Sequence, residues 1–107
     1  MPTQARTKNM KTYSNSGADV FVTEGGQLKP LLAKRSQTIR KHSEEFNWGF
    51  NGNSPAQLAL AILLDFTDNQ ELSPDLHQTF KEDIISMFGD SWEINAGEIH
   101  RWIDSRR

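Results

Sequence analysis

Every residue from Leu58 to Leu64 is apolar, and the pattern extends to Phe66. On a helix, Leu58, Ile62 and Phe66 make one face, Ala59 and Leu63 a second, Leu60 and Leu64 a third. A helix with no polar side must be surrounded by protein, so the pattern predicts a central buried helix over about 55–66. Ser54 is placed to cap it, Pro55 to occupy its first position and Gln57 to complete a capping box. Further on, Ser73-Pro74 again reads as a cap followed by proline. Leu76, Phe80, Ile84, Met87 and Phe88 then recur at helical spacing, and Gly89 is the expected stop. Trp92-Glu93-Ile94 reads as a brief extended segment. Asn95, with Glu98 three residues later, opens a last helix whose Ile99, Trp102 and Ile103 face inward.

The first third of the chain has a different period. Residues Met10–Tyr13 suggest a short strand, and Asp19–Thr23 a clearer one, because Val20, Phe21 and Val22 favour the pleated conformation. Glu24-Gly25-Gly26-Gln27 is a hairpin turn, since paired glycines accept positive φ. Leu28–Leu32 returns as its partner, and Pro30 confines that partner to a sheet edge. The charged connection 33–45 follows, and its Ser36–Lys41 part is compatible with either helix or extended chain. Strands followed by helices argue for an α+β domain: a small N-terminal antiparallel sheet of two or three strands packed on three helices. Residues 1–9 are expected to form a flexible polar tail and 10–107 a single domain.

Composition narrows the class. A chain of 107 residues holds one modest core. With no cysteine, disulfides and thiolate metal sites are excluded. The seven-residue apolar run 58–64 is far short of the roughly 20 residues a membrane-crossing helix needs. The N-terminus lacks an apolar signal core, and the expected location is the cytoplasm. The net charge of −2 conceals an asymmetry. Residues 1–41 hold eight Lys or Arg against two carboxylates, whereas residues 42–104 hold two cations against twelve. Two consequences stay open: a basic segment that touches phosphate or an acidic partner, or halves that neutralise each other across the fold.

The loop Trp48-Gly49-Phe50-Asn51-Gly52-Asn53 carries the candidate chemistry. It is compatible with a purely structural role, with glycines in conformations closed to other residues and Phe46, Trp48 and Phe50 packed on the core. It is also compatible with an anion site at the helix N-terminus, against which Pro55 removes one donor, or with a partner surface built on aromatics. The residues proposed for a partner surface are His42, Trp48, Phe50, Asn51, Gly52 and Asn53. The basic patch beside them is Lys34, Arg35, Arg40 and Lys41, which with Lys29 could track phosphates while Trp48 or Phe50 stacks on bases. His42, His77 and His100 show no metal-ligand spacing, and Ser43 beside His42 lacks the strained turn of a nucleophile. Asp65 and Asp68 lie at a helix C-terminus, where the dipole disfavours them. No catalytic residue, metal or cofactor is expected.

His42-Ser43, followed by Phe46-x-Trp48-Gly49-Phe50-x-Gly52-x-Ser54-Pro55-Ala56-Gln57-Leu58-Ala59-Leu60-Ala61-Ile62-Leu63, resembles the signature of a family of small uncharacterised domains of bacteria, archaea and viruses. That signature runs His-Ser-x-x-Phe-x-Trp-Gly-Tyr-x-Gly-Ser-Gly-Pro-Ala-Gln-Leu-Ala-Leu-Ala. Phe80-Lys81 and Trp92-x-Ile94 to Ile99-x-x-Trp102 resemble its later part. Asn53 stands where serine is usual and Ser54 where glycine precedes the proline. The resemblance supports the fold and implies no activity, cofactor or catalytic residue. The functional expectation is a small non-enzymatic protein-interaction domain, an accessory of a mobile element or phage. Behind it stand a nucleic-acid-binding domain using the basic 29–41 segment and a small-ligand or anion binder at the loop before the central helix.

Overall fold

Gly25 and Gly26 sit at φ +60° and +81°, both left-handed. This two-residue turn has the twist that antiparallel strands require, and it joins β2 (Asp19–Glu24) to β3 (Gln27–Pro30). With β1 (Thr12–Ser16) and β4 (Glu93–Asn95) they form one antiparallel sheet in the order β3-β2-β1-β4 in a computed structural model that describes residues 11–106. The expected tail 1–9 and the Met10 end of the first strand lie outside the described residues. The helices are α1 (Lys34–Ile39), α2 (Asn53–Thr67), α3 (Leu72–Asp83) and α4 (Ala96–Ser105), with a single 3₁₀ turn at Ile85–Met87. The α+β architecture is the one the sequence predicts. The differences are a fourth strand, supplied from the C-terminal half, and the short α1 in the segment whose conformation the sequence left open.

Register decides which strand residues are core. Tyr13 lies opposite Val22 on one side and Ile94 on the other, and all three are buried. With Val20 they make the inner face, which shares one apolar cluster with Leu58, Ala59, Ile62 and Leu63 of α2 and with Ile99, Trp102 and Ile103 of α4. The central helix is enclosed on all sides, as its sequence demands, from Pro55 through Leu64. Phe80 of α3 meets Trp102 of α4 edge to face at 4.9 Å, a favoured aromatic geometry.

Pro30 is at the edge, and the ladder explains why. Glu24 and Gln27 close the hairpin, and Leu31 N–H donates to Val20 O at 2.9 Å. Hydrogen-bonded pairs alternate with non-bonded ones, so the Phe21–Pro30 pair is non-bonded and the proline nitrogen faces the open edge. No ladder bond is lost.

Several boundaries differ from the sequence expectation. α2 begins at Asn53 with Gly52 as N-cap and no side-chain cap bond, so neither Ser54 nor Gln57 forms a capping box. Ser73 lies inside α3, where its hydroxyl meets Thr67 Oγ1 at 3.1 Å. Asn69 Oδ1 instead accepts from Glu71 N and Leu72 N. α3 ends at Asp83, six residues before Gly89, because the chain tightens there into the 3₁₀ turn. The capping box of Asn95 and Glu98 is present in both directions, at 2.9 and 3.1 Å.

Sheet and central helix are also tied by a polar clamp. Asp65 Oδ2 accepts from Tyr13 Oη at 2.6 Å and from Lys11 Nζ at 3.2 Å, and Lys11 also donates to Asp65 O. Burial first, and then the Asp65 carboxylate, push the Tyr13 phenol pKa far above its ordinary value, so it stays a donor. Asp65 and Asp68 have structural work at the end of α2, the latter by pairing with Arg35. Replacing Tyr13 by Phe removes only the hydroxyl and leaves a buried, shape-matched ring. The expected cost is about 1.5–2 kcal/mol, the lower range for a hydrogen bond to a charged group, read as a lowered denaturation midpoint with an unchanged slope.

Candidate functional site

The side chain of Gln57 organises the surface where the expected site residues lie. It is fully buried on α2. Its Oε1 accepts from His42 N at 2.6 Å and Ser43 N at 3.0 Å. Its Nε2 donates to Ser36 Oγ at 2.8 Å and Arg40 O at 3.2 Å. Both lone pairs and both protons are used. One amide therefore holds α1 and the 40–43 turn against the central helix, where the sequence suggested only a local cap.

On one side of Gln57 lies a histidine pair. His42 Nε2 and His77 Nε2 are 2.8 Å apart, and His77 Nδ1 is 2.7 Å from Pro74 O. A carbonyl only accepts, so His77 carries its proton on Nδ1. Its Nε2 is then an acceptor, and His42 must donate from Nε2, leaving His42 Nδ1 with a lone pair. His77 is fully buried and His42 half-buried. Burial first, and then the charges of Arg40 and Lys81, lower the His42 pKa from its usual 6.5. His77 is also lowered mainly by burial, against the opposing pull of the Pro74 carbonyl. Ser43 Oγ and Ser54 Oγ meet at 3.2 Å beside this pair. His100 is remote from it and pairs with Asp104 on the exposed side of α4.

On the other side is a groove of ≈ 500 Å³ between β3, α1 and α2. Val22, Leu31, Ala61 and Leu64 give it an apolar floor, and Lys29, Leu32, Lys34 and Arg35 line its rim. Leu32 is 66% exposed. Arg35 is paired with Asp68, while Lys29 and Lys34 have no carboxylate partner among the described residues. Of the four basic residues singled out in sequence, Lys34 and Arg35 thus border the groove. Arg40 sits by the histidines, and Lys41 pairs with Glu44.

The glycine loop is held more tightly than its composition suggests. Trp48 is half-buried with its ring 5.5 Å from that of Trp92 in a T-shaped contact, and Trp92 stacks on Phe88 at 4.4 Å. Gly49 has φ +83° and donates to Ile85 O, and a Cβ there would lie 3.1 Å from Phe88 O. Its glycine is required by the backbone. Gly52 is extended, and an added Cβ would meet only the exposed ring of Phe50. Phe50, Asn51 and Asn53 are open to solvent. The loop therefore splits: Trp48 and Gly49 anchor it, and Phe50 to Asn53 form its outward tip.

A family model matches residues 8–105, nearly the whole chain: DUF6166, a family of unknown function. The chain belongs to this family. No curated protein and no solved structure matches it. No helix among the described residues is long and apolar enough to cross a membrane, and no group of three or more metal-ligating side chains assembles among them.

Sequence reasoning singled out His42 but missed its partner. His77 and Lys81 are four residues apart on α3, a spacing that puts both on one helical face. That spacing is the legible signal, and it carries no information on the distant His42 that meets His77. Leu32 was read as strand end and is instead the rim of the groove.

Two outcomes follow. Gln57→Leu keeps the size of the side chain but leaves two part-buried backbone N–H groups unpaired. It is expected to cost about 2–4 kcal/mol and to raise amide exchange at His42 and Ser43 above that of α4. The depressed histidines bind protons more weakly in the folded state than in the unfolded one. Their contribution is complete above pH 6.5 and falls as the pH drops through the lowered folded-state values. The slope of unfolding free energy between pH 6.5 and 5 is expected to flatten in His77→Gln.

Proposed function

We propose that the chain is a non-enzymatic interaction domain that receives an acidic, apolar-faced protein segment in the groove between β3 and α1. The observation carrying this reading is Leu32, 66% exposed on the rim of an apolar floor, with Lys29 and Lys34 uncompensated beside it. Large apolar side chains in water next to a concavity are a mark of an interaction surface. The lysines set the partner's sign: they form a basic island on a chain whose later two-thirds is strongly acidic, so an acidic segment is steered to the groove and repelled elsewhere. The outward tip from Phe50 to Asn53 offers a second contact on the same domain.

The groove favours protein over nucleic acid. No aromatic side chain lines it, so the lysines have no stacking platform next to them. Of the two residues expected to supply one, Trp48 is engaged with Trp92, and Phe50 is exposed on the loop tip and does not line the groove.

Affinity capture from the source cell's extract tests this, comparing the native chain with a Leu32→Asp, Lys34→Glu double variant, each with and without nuclease. Both substitutions are on exposed positions and leave the core intact. The expected result is a stoichiometric protein that survives nuclease, persists at raised salt and is lost from the variant. Capture that disappears with nuclease and falls steeply with salt overturns the reading in favour of nucleic acid. Equal capture by both forms removes the groove from the interface.

A further inference from the structure

Lys81 is the least expected residue of α3. It is 9% exposed, yet it has no hydrogen-bond acceptor and no carboxylate among the described residues. Nζ itself is not sealed from water, so the stem is buried while the ammonium emerges at the surface without a counter-ion among the described residues. One turn earlier on the same face is His77, and opposite is His42, whose Nε2 it holds at 2.8 Å. Arg40, two residues before His42, adds a second cation with no carboxylate of its own among the described residues. Its backbone, not its guanidinium, is held by Gln57. Both Arg40 and Lys81 act electrostatically on both imidazoles, and no carboxylate is among the groups that do.

We propose that Arg40, His42, His77 and Lys81 form a binding site for a tetrahedral oxyanion, the phosphate group of a small ligand. The Lys81 ammonium and the Arg40 guanidinium supply the two permanent charges that match a phosphate monoester dianion. His42 supplies the third donor. Its Nδ1 is the one ring nitrogen of the pair not already committed, so a proton taken there creates an N–H for the anion without disturbing the bond to His77. His77 is the positioning residue: its Nδ1–H is spent on Pro74 O, which fixes the tautomer and so the orientation of His42. A metal ion is the alternative occupant of two close imidazoles, but two cations and no carboxylate disfavour one. This site lies across Gln57 from the groove and does not depend on it.

The assignment predicts a coupled response. An anion between the cations offsets their effect on His42, so binding raises its pKa and takes up a proton. The experiment follows the histidine Cε1–H resonances through a pH titration with and without inorganic phosphate, alongside the melting temperature. Expected are a saturable rise in melting temperature that grows as the pH falls from 8 to about 6 and an upward move of the His42 titration by roughly half a pH unit or more. Both should be lost in Lys81→Met. Arg40→Gln, on an exposed residue that leaves the core alone, should weaken phosphate binding several-fold, which keeps the test valid if the Lys81 variant folds poorly. Adenosine 5′-monophosphate in a parallel arm separates sources. Tighter binding than phosphate marks a phosphorylated molecule, equal binding marks the free ion, and either supports the site. The proposal is overturned if phosphate acts equally on the native chain and both variants, or if His42 does not respond. It is also overturned if zinc alone shifts both histidines while phosphate does nothing, or if only a single-stranded oligonucleotide binds.

Discussion

The fold around the candidate sites hangs on one buried amide. Gln57 has been removed from water just ahead of the all-apolar run Leu58–Leu64, and this is tolerable only because each of its four hydrogen-bonding positions is filled. The partners come from α1, from the Arg40 carbonyl and from two successive backbone N–H groups at His42 and Ser43. Without that amide, the segment between β3 and α2 would have little to fix it, since it has a six-residue helix and few buried side chains of its own. The groove and the histidine pair are both built from this segment, so the geometry of each depends on the same side chain.

A second polar tie, from Tyr13 and Lys11 to Asp65, works at the other end of α2. The central helix is thereby fixed at its start to the connecting segment and near its end to the first strand. Between these points it is held by packing alone, which specifies position less sharply than directed bonds do. The aromatic contacts of Trp48, Phe88 and Trp92 secure the glycine loop in the same way, and they turn Trp48 inward.

The fold was largely legible because its strongest signals are local. The all-apolar run 58–64, the Gly25-Gly26 turn and the Asn95–Glu98 box each specify an element from a few neighbouring residues. What escaped depends on distant partners. Gln57 in a Ser-Pro-x-Gln context looks like a cap, and only the folded chain brings Ser36 and His42 to it. β4 is three residues long and is a strand only because β1 lies beside it. Of the candidate sites, His42 and the basic residues were visible, while the pairing of His42 with His77, thirty-five positions away, was not. The split within the loop also needed coordinates, because Gly49 and Gly52 read alike in sequence and differ in backbone conformation.

Pro30 has a further consequence at the level of many molecules. Its ring faces outward on β3, so that open edge can present the N–H of Leu28 but none at residue 30. The opposite edge, β4, is only three residues long. Neither border is a template on which another copy could extend the sheet, so stacking into fibres is blocked at both ends. The exposed Leu28 of β3 and Leu32 just beyond it can then remain in water without backbone pairing between copies, and any molecule docking there would have to engage their side chains rather than the backbone.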